Sequence, residues 1–176
     1  ILTWEGADPL TFWLDLMNVA LREFTEHLAD LHGRGIFNEE NPEKMLAELV
    51  YDSGDGKSDT NRTDQKKSLI AIALPILPGK IEIWKTKILE RMLGENKKDT
   101  DAIRFAARVR ERSYLQEVPE GHIVILTFEG INPEAGYLQV IQNSPPEFAE
   151  AAMEIHGLDT NAPRPPLPKL VYNSRE

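Results

Sequence analysis

Two stretches of the chain are near copies of each other, and this repetition restricts the fold more than any other feature. Ile1–Pro9 reads ILTWEGADP, and Ile125–Pro133 reads ILTFEGINP. At the same offset of 124, Glu23-Phe24 falls on Glu147-Phe148, Glu26 on Glu150, and His32-Gly33 on His156-Gly157, so that 12 of the first 33 positions are identical. After a slip of three residues, Leu49-Val50-Tyr51-Asp52-Ser53 matches Leu170-Val171-Tyr172-Asn173-Ser174, with Pro42 on Pro163 and Leu46 on Leu167. A match of this length covers a strand–helix–strand, and internal repeats of this kind govern how every later element is read. Residues 1–53 are therefore expected to be the C-terminal half of one unit, and residues 68–176 one complete unit. Ile1 corresponds to Ile125, inside a predicted strand. That implies about 60 further residues upstream, equivalent to Ser68–Val124 and carrying a strand, a helix and a strand.

Between the copies, Ser53–Lys67 (SGDGKSDTNRTDQKK) holds no apolar residue in 15 positions. Such a segment has no surface to bury against its ordering entropy, so residues 54–67 are expected to be a flexible polar linker.

The complete unit alternates its patterns. Leu69–Pro75 has Ile70, Ile72 and Leu74 on one face and Ala71 and Ala73 on the other, the period of a strand. Ile81, Trp84, Ile88 and Met92 are spaced as a helix stripe, and a second stripe of Ile103, Ala106, Ala107 and Arg110 extends the helical region. Tyr114–Val118, Pro119-Glu120-Gly121 and His122–Phe128 read as a β-hairpin. Pro133 opens a helix whose stripe is Tyr137, Ile141, Phe148, Ala152 and Ile155, interrupted at Pro145-Pro146 and ended by Gly157. Leu170–Tyr172 is the last strand. The order β-α-β-β-α-β predicts an α+β fold of the ferredoxin-like kind. The first copy supplies a strand at Ile1–Trp4, a helix near Pro9–His32 and a strand at Glu48–Tyr51. Two such units that pack their open sheet faces together form an α+β barrel, as an intrachain pseudo-dimer or a homodimer.

PILPGKIEIW, RVRERSYLQEVPEGHIVILTFEG, EFAEAAMEIHGLD and LPKLVYNS together resemble a family of small uncharacterised bacterial proteins. That family is similar to the dimeric α+β-barrel proteins, which include antibiotic-biosynthesis monooxygenases and stress-responsive barrels. The resemblance spans Leu69–Ser174, with Ile1–Ser53 as a partial second copy. It implies a barrel whose interior holds a ligand or a cofactor-free oxidation site. Haem-degrading barrels resemble the fold but require an Asn on the first strand, a Trp on a middle strand and a following His. Leu69–Pro75 has no Asn, Phe128 takes the middle-strand place, and Trp4 takes it only in the partial copy.

The chain is acidic, with 20 basic against 29 acidic residues for a net charge of −9. Nucleic acid and anionic membrane both require a positive footprint, so neither is an expected partner. The lack of cysteine excludes disulfides, thiolate metal sites and cysteine nucleophiles. No apolar run approaches the roughly 20 residues of a membrane span, and a cytoplasmic location is expected.

Several local motifs are weaker than they look. Gly56-Lys57-Ser58 follows a strand, but Tyr51 stands where a phosphate loop needs its first Gly, and Asp59–Lys67 is wholly polar. Asp52, Asp55, Asp59 and Asp64 do not make a calcium loop, since Gly54 and Gly56 occupy ligand positions. Asn61-Arg62-Thr63 is a chance glycosylation match. His32 and His156 recur at one place and read as helix C-terminal caps. Arg104, Arg108, Arg110 and Arg112 suggest a basic helix face that grips an anion or pairs with Glu111.

Six residues remain as candidates to line a barrel interior: His122, Gln116, Thr127, Tyr172, Tyr51 and Trp4. They would be polar or aromatic handles in an apolar pocket. No metal-ligand spacing, Ser-His-Asp set or cofactor signature accompanies them, and the catalytic residues stay unassigned. Two functions fit: a small-molecule-binding or interaction module without chemistry, and a cofactor-independent monooxygenase-like enzyme. An enzyme of this type needs an enclosed pocket of roughly 300 Å³ with convergent polar groups.

Overall fold

The structure, a computed structural model, describes residues 46–54, 67–159 and 166–169, with Asp8, Thr11, Asp15, Glu26 and Ala162 as isolated positions. Strand β1 (Glu48–Asp52) comes first, then β2 (Ser68–Ile76). A helical stretch follows as α1 (Ile81–Trp84), a π-helical segment (Lys85–Leu89) and α2 (Glu90–Leu93). Helix α3 (Lys97–Ala106), strands β3 (Val109–Val118) and β4 (Gly121–Gly130), and helices α4 (Pro133–Asn143) and α5 (Pro146–His156) complete the order. The strands make one antiparallel sheet in the order β1-β3-β4-β2. Among the described strands it is open: β1 and β2 are the two edges and do not meet. The architecture is mixed α+β.

The sheet has two unlike faces because each strand alternates. Ile70 and Ile76 of β2, Val109 of β3, and Val124 and Phe128 of β4 are buried beneath the helices. Trp84, Ile88 and Met92 meet them in the predicted stripe, together with Tyr51, Ala151 and Ile155. Phe128 and Val140 anchor a second cluster, where the Tyr137 ring lies 5.1 Å from that of Phe128. Each fully buried side chain of this size contributes about 1.5–3 kcal/mol.

Caps and turns follow from local chemistry. Asn132 Oδ1 accepts from the Ala135 N–H at 3.1 Å, and Pro133 occupies the first turn of α4, where its missing N–H costs nothing. Asp8 holds Thr11 the same way, accepting from its N–H at 3.0 Å. Gly157 ends α5 with φ 65°, a left-handed conformation that favours glycine.

One expectation needs correction. The helix predicted to run on through Arg110 stops at Ala106, and Arg108 turns the chain at φ 58°. From Val109 the period is two: Val109, Glu111 and Ser113 point to the helices, and Arg110, Arg112 and Tyr114 to the other side. Arg104 thus lies on a helix, whereas Arg110 and Arg112 lie on a strand, and the four arginines make no single basic face. The strands predicted at Ile1–Trp4 and Leu170–Tyr172, and the helix near Pro9–His32 apart from its isolated positions, lie outside the described residues, as does most of the linker.

Candidate functional site

The sheet face turned away from the helices is built of cross-strand rows. One row is Leu49–Tyr114–Ile125–Ala73, and the next is Gln116–Ile123–Pro75. Toward the opposite end come Asp52–Arg112–Thr127–Ala71 and Arg110–Glu129–Leu69. The first two rows are apolar but for the Gln116 amide and the Tyr114 hydroxyl. Tyr114, Gln116, Ile123 and Ile125 are half-buried, and Leu49 is 50% exposed. The last two rows hold paired charges. Arg110 donates to Asp52 through Nε at 2.9 Å and Nη2 at 2.6 Å, and Arg112 donates to Glu129 at 2.7 Å. The surface is therefore apolar at one end and ion-paired at the other. The Arg110 hydrogen bonds, helped by the Gly54 N–H, hold the Asp52 carboxyl below its ordinary range despite partial burial.

A second cluster lies beneath α3, on the helix side. Arg104 and Glu111 are 4% and 3% exposed, and Arg104 Nε donates to Glu111 Oε2 at 2.8 Å. Ser113 Oγ donates to Glu111 Oε1 at 3.2 Å, and the Tyr51 hydroxyl donates to Asp101 Oδ1 at 2.8 Å. Lys97 pairs with Asp101 at 2.6 Å and stands 5.4 Å over the Tyr51 ring. Burial first, and then the bond to Asp101, push the Tyr51 phenol far above its ordinary value. That phenol donates a hydrogen bond and is no proton source near neutrality. Every charge here has a partner, so the cluster fastens β1 to α3 and β3.

The four predicted residues that the structure describes do not share one face. Gln116 and Thr127 share the open face. Thr127 is 2% exposed and donates to the Arg112 carbonyl at 3.3 Å. His122 and Tyr51 point to the helix side. Trp4 and Tyr172 lie outside the described residues. Arg104, Asp101 and Glu111 were not among the predicted site residues, because charged side chains in a helix or at a strand start read as solvated. The period-two reading of Val109–Val118 was the available signal. His156 ends α5 as expected, but its ring bonds to β2 rather than to the last carbonyls of the helix, which Gly157 closes. Its Nδ1 lies 2.8 Å from the Pro75 carbonyl, which can only accept, so Nδ1 carries the proton. Burial lowers its pKa, and the bond to Pro75 opposes that shift.

A cavity of about 120 Å³ opens between α3 and the α4–α5 junction, lined by Arg91, Asn96, Thr100, Arg104 and Ser144 among others. It lies on the helix side, and His122, Gln116, Thr127 and Tyr51 do not line it. Among the described residues, no three His, Asp or Glu side chains are grouped to hold a metal ion, and no helix is long and apolar enough to cross a membrane. Comparison with known proteins finds no family model, curated protein or solved structure that matches the chain.

Proposed function

We propose that the chain is a binding module of the α+β-barrel kind, without chemistry of its own. In this reading, the open sheet face receives a second layer, and a small apolar or anionic molecule sits between the two. One observation carries it: the rows Leu49–Tyr114–Ile125–Ala73 and Gln116–Ile123–Pro75 form an apolar face on the side of the sheet away from the described helices. Faces of this kind on soluble proteins mark sites of contact. The amide of Gln116 and the hydroxyl of Tyr114 would orient the ligand, as the few polar groups of a ligand site do. The ferredoxin-like βαββαβ unit, its partial copy in residues 1–53 and barrel pairing complete the proposal. The shared cap chemistry of Asp8–Thr11 and Asn132–Ala135, at equivalent positions of the two copies, supports the repeat. So does the addition of β1, from the first copy, to the sheet of the second.

An anilinonaphthalene sulfonate, both apolar and anionic, is a suitable probe. Fluorescence titration is expected to give saturable binding with one site per chain. Ile125→Glu is expected to weaken it about tenfold or more, since an Ile contact is worth about 1.5–3 kcal/mol. Equal binding by the variant, or no saturation, would overturn the reading.

A further inference from the structure

We propose that the cavity beside α3 binds a short-chain carboxylate such as propionate, at a site separate from the open sheet face. Its volume is about 120 Å³. Water occupies about 30 Å³ per molecule in the liquid, so the space suits a ligand with the bulk of about four waters. The fused rings of an anilinonaphthalene sulfonate are too large for it. Two guanidiniums meet at this small space, Arg91 from α2 and Arg104 from α3. Arg104 is 4% exposed, with Nε bonded to Glu111 and Nη1 to the Thr100 carbonyl. Its Nη2 makes no hydrogen bond among the described residues, yet it is not sealed from water. For a lining residue this deeply buried, the cavity is the route to that nitrogen. A charged donor without an acceptor in a nearly closed site is answered by an anion.

The rest of the lining fits the same ligand. Arg91 donates to Glu147 at 3.0 Å, but the two side chains are 32% and 58% exposed. Exposed ion pairs are weak, so Arg91 turns to a ligand at little cost. Thr100 adds a hydroxyl, and Ile103, Pro145 and Phe148 add an apolar wall that suits a carbon chain better than a bare phosphate. Helices α3 and α5 both begin here, at Asn96 and Pro145, and neither has a side-chain cap. The positive ends of two helices therefore add to the field of the arginines. The nearby carboxylates do not take the ligand's place. Glu111 is held by Arg104 Nε and Ser113, and Asp101 by Lys97 and Tyr51. Asp99 is the one carboxylate among the described residues that line the cavity, and it is exposed. It opposes an anion, which sets the sign of one test.

Sodium propionate titrated into the full chain at constant ionic strength, followed by amide chemical shifts, tests the site. The expected result is saturation with one site per chain and the largest shifts at Thr100, Ile103, Ser144 and Phe148. Arg91→Gln, at a partly exposed position, should weaken binding about tenfold, the loss of one charge-assisted hydrogen bond. Asp99→Asn should tighten it severalfold. Arg104→Met/Glu111→Leu, in which apolar groups replace the buried pair, should abolish saturation. Circular dichroism verifies the fold of each variant. Shifts that do not saturate, or that spread over the exposed lysines and arginines, would overturn the proposal. So would Arg91→Gln binding as tightly as the parent chain, or Asp99→Asn binding more weakly. Inorganic phosphate and propylammonium are the contrasting probes. Phosphate shifting the same amides as strongly would overturn the carboxylate assignment, because charge alone would then be read. Propylammonium doing so would overturn it as well, because Asp99 would then govern the site.

Discussion

Glu111→Ala removes the carboxylate that faces Arg104 and leaves a guanidinium that is 4% exposed, with the Thr100 carbonyl at 3.3 Å and the Tyr51 ring centroid at 6.0 Å. Losing one member of a buried pair costs about 3–5 kcal/mol, since the surviving charge stays out of water. Against a typical domain stability of about 5–15 kcal/mol, that is a large fraction. With a urea m-value of about 1–3 kcal/mol per molar, the unfolding midpoint should fall by about 2 M. The companion variant Arg104→Met/Glu111→Leu removes both charges and fills the space with apolar groups, and it should lie within about 1 kcal/mol of the parent chain or above it. Urea unfolding followed by circular dichroism measures all three. If Glu111→Ala unfolds within about 1 kcal/mol of the parent, the pair is not buried as described. If the double variant is as unstable as Glu111→Ala, the penalty does not come from an uncompensated charge.

Three further outcomes are expected. Gly136→Ala puts a Cβ into the Val109 side chain and 2.9 Å from the Ala107 carbonyl, so chemical unfolding should show a loss of about 1–3 kcal/mol. Burial keeps His156 neutral, with its folded pKa below the free value of 6.5; stability should be full above about pH 6.5 and decline as pH falls through the folded value, and His156→Gln should flatten that slope in thermal melts. The Asp52 carboxyl is held below its free value of 3.8, so its contribution is present above about pH 4 and is lost as pH falls through the folded value; at pH 7, Asp52→Ala should cost about 1 kcal/mol in urea unfolding and remove that part of the acid dependence.

Alternation made much of the fold legible. Ile70 and Ile76 against Ala71 and Ala73 set the faces of β2, Trp84, Ile88 and Met92 mark the helix stripe, and Gly121 closes the hairpin between β3 and β4. Two things escaped this reading. Ile103, Ala106 and Ala107 carry a helical period up to the very point where Arg108 reverses the chain, so Arg110 fits that period by spacing although it lies on β3 opposite Glu129. The pairing of Glu48–Asp52 with Arg112–Leu115 joins residues about 60 apart across a polar linker, and no local pattern encodes such a partnership. The site depended on the same count: with β3 starting at Val109, Gln116 falls on the open face with Thr127, while His122 and Tyr51 fall on the other. Pairing of the arginines with Glu111 was legible, but as a solvated face; the burial of Arg104–Glu111 was not, because its charges look like surface until the fold brings them within 2.8 Å.

The open-face account is tested most directly by amide chemical-shift mapping of the full chain titrated with anilinonaphthalene sulfonate. The account predicts the largest shifts at Ala71, Ala73, Tyr114, Gln116, Ile123 and Ile125, with the helix-side residues Ile70, Val109 and Phe128 moving much less. Shifts concentrated instead at Arg91, Thr100 and Ser144 would put the ligand in the cavity beside α3 and contradict it.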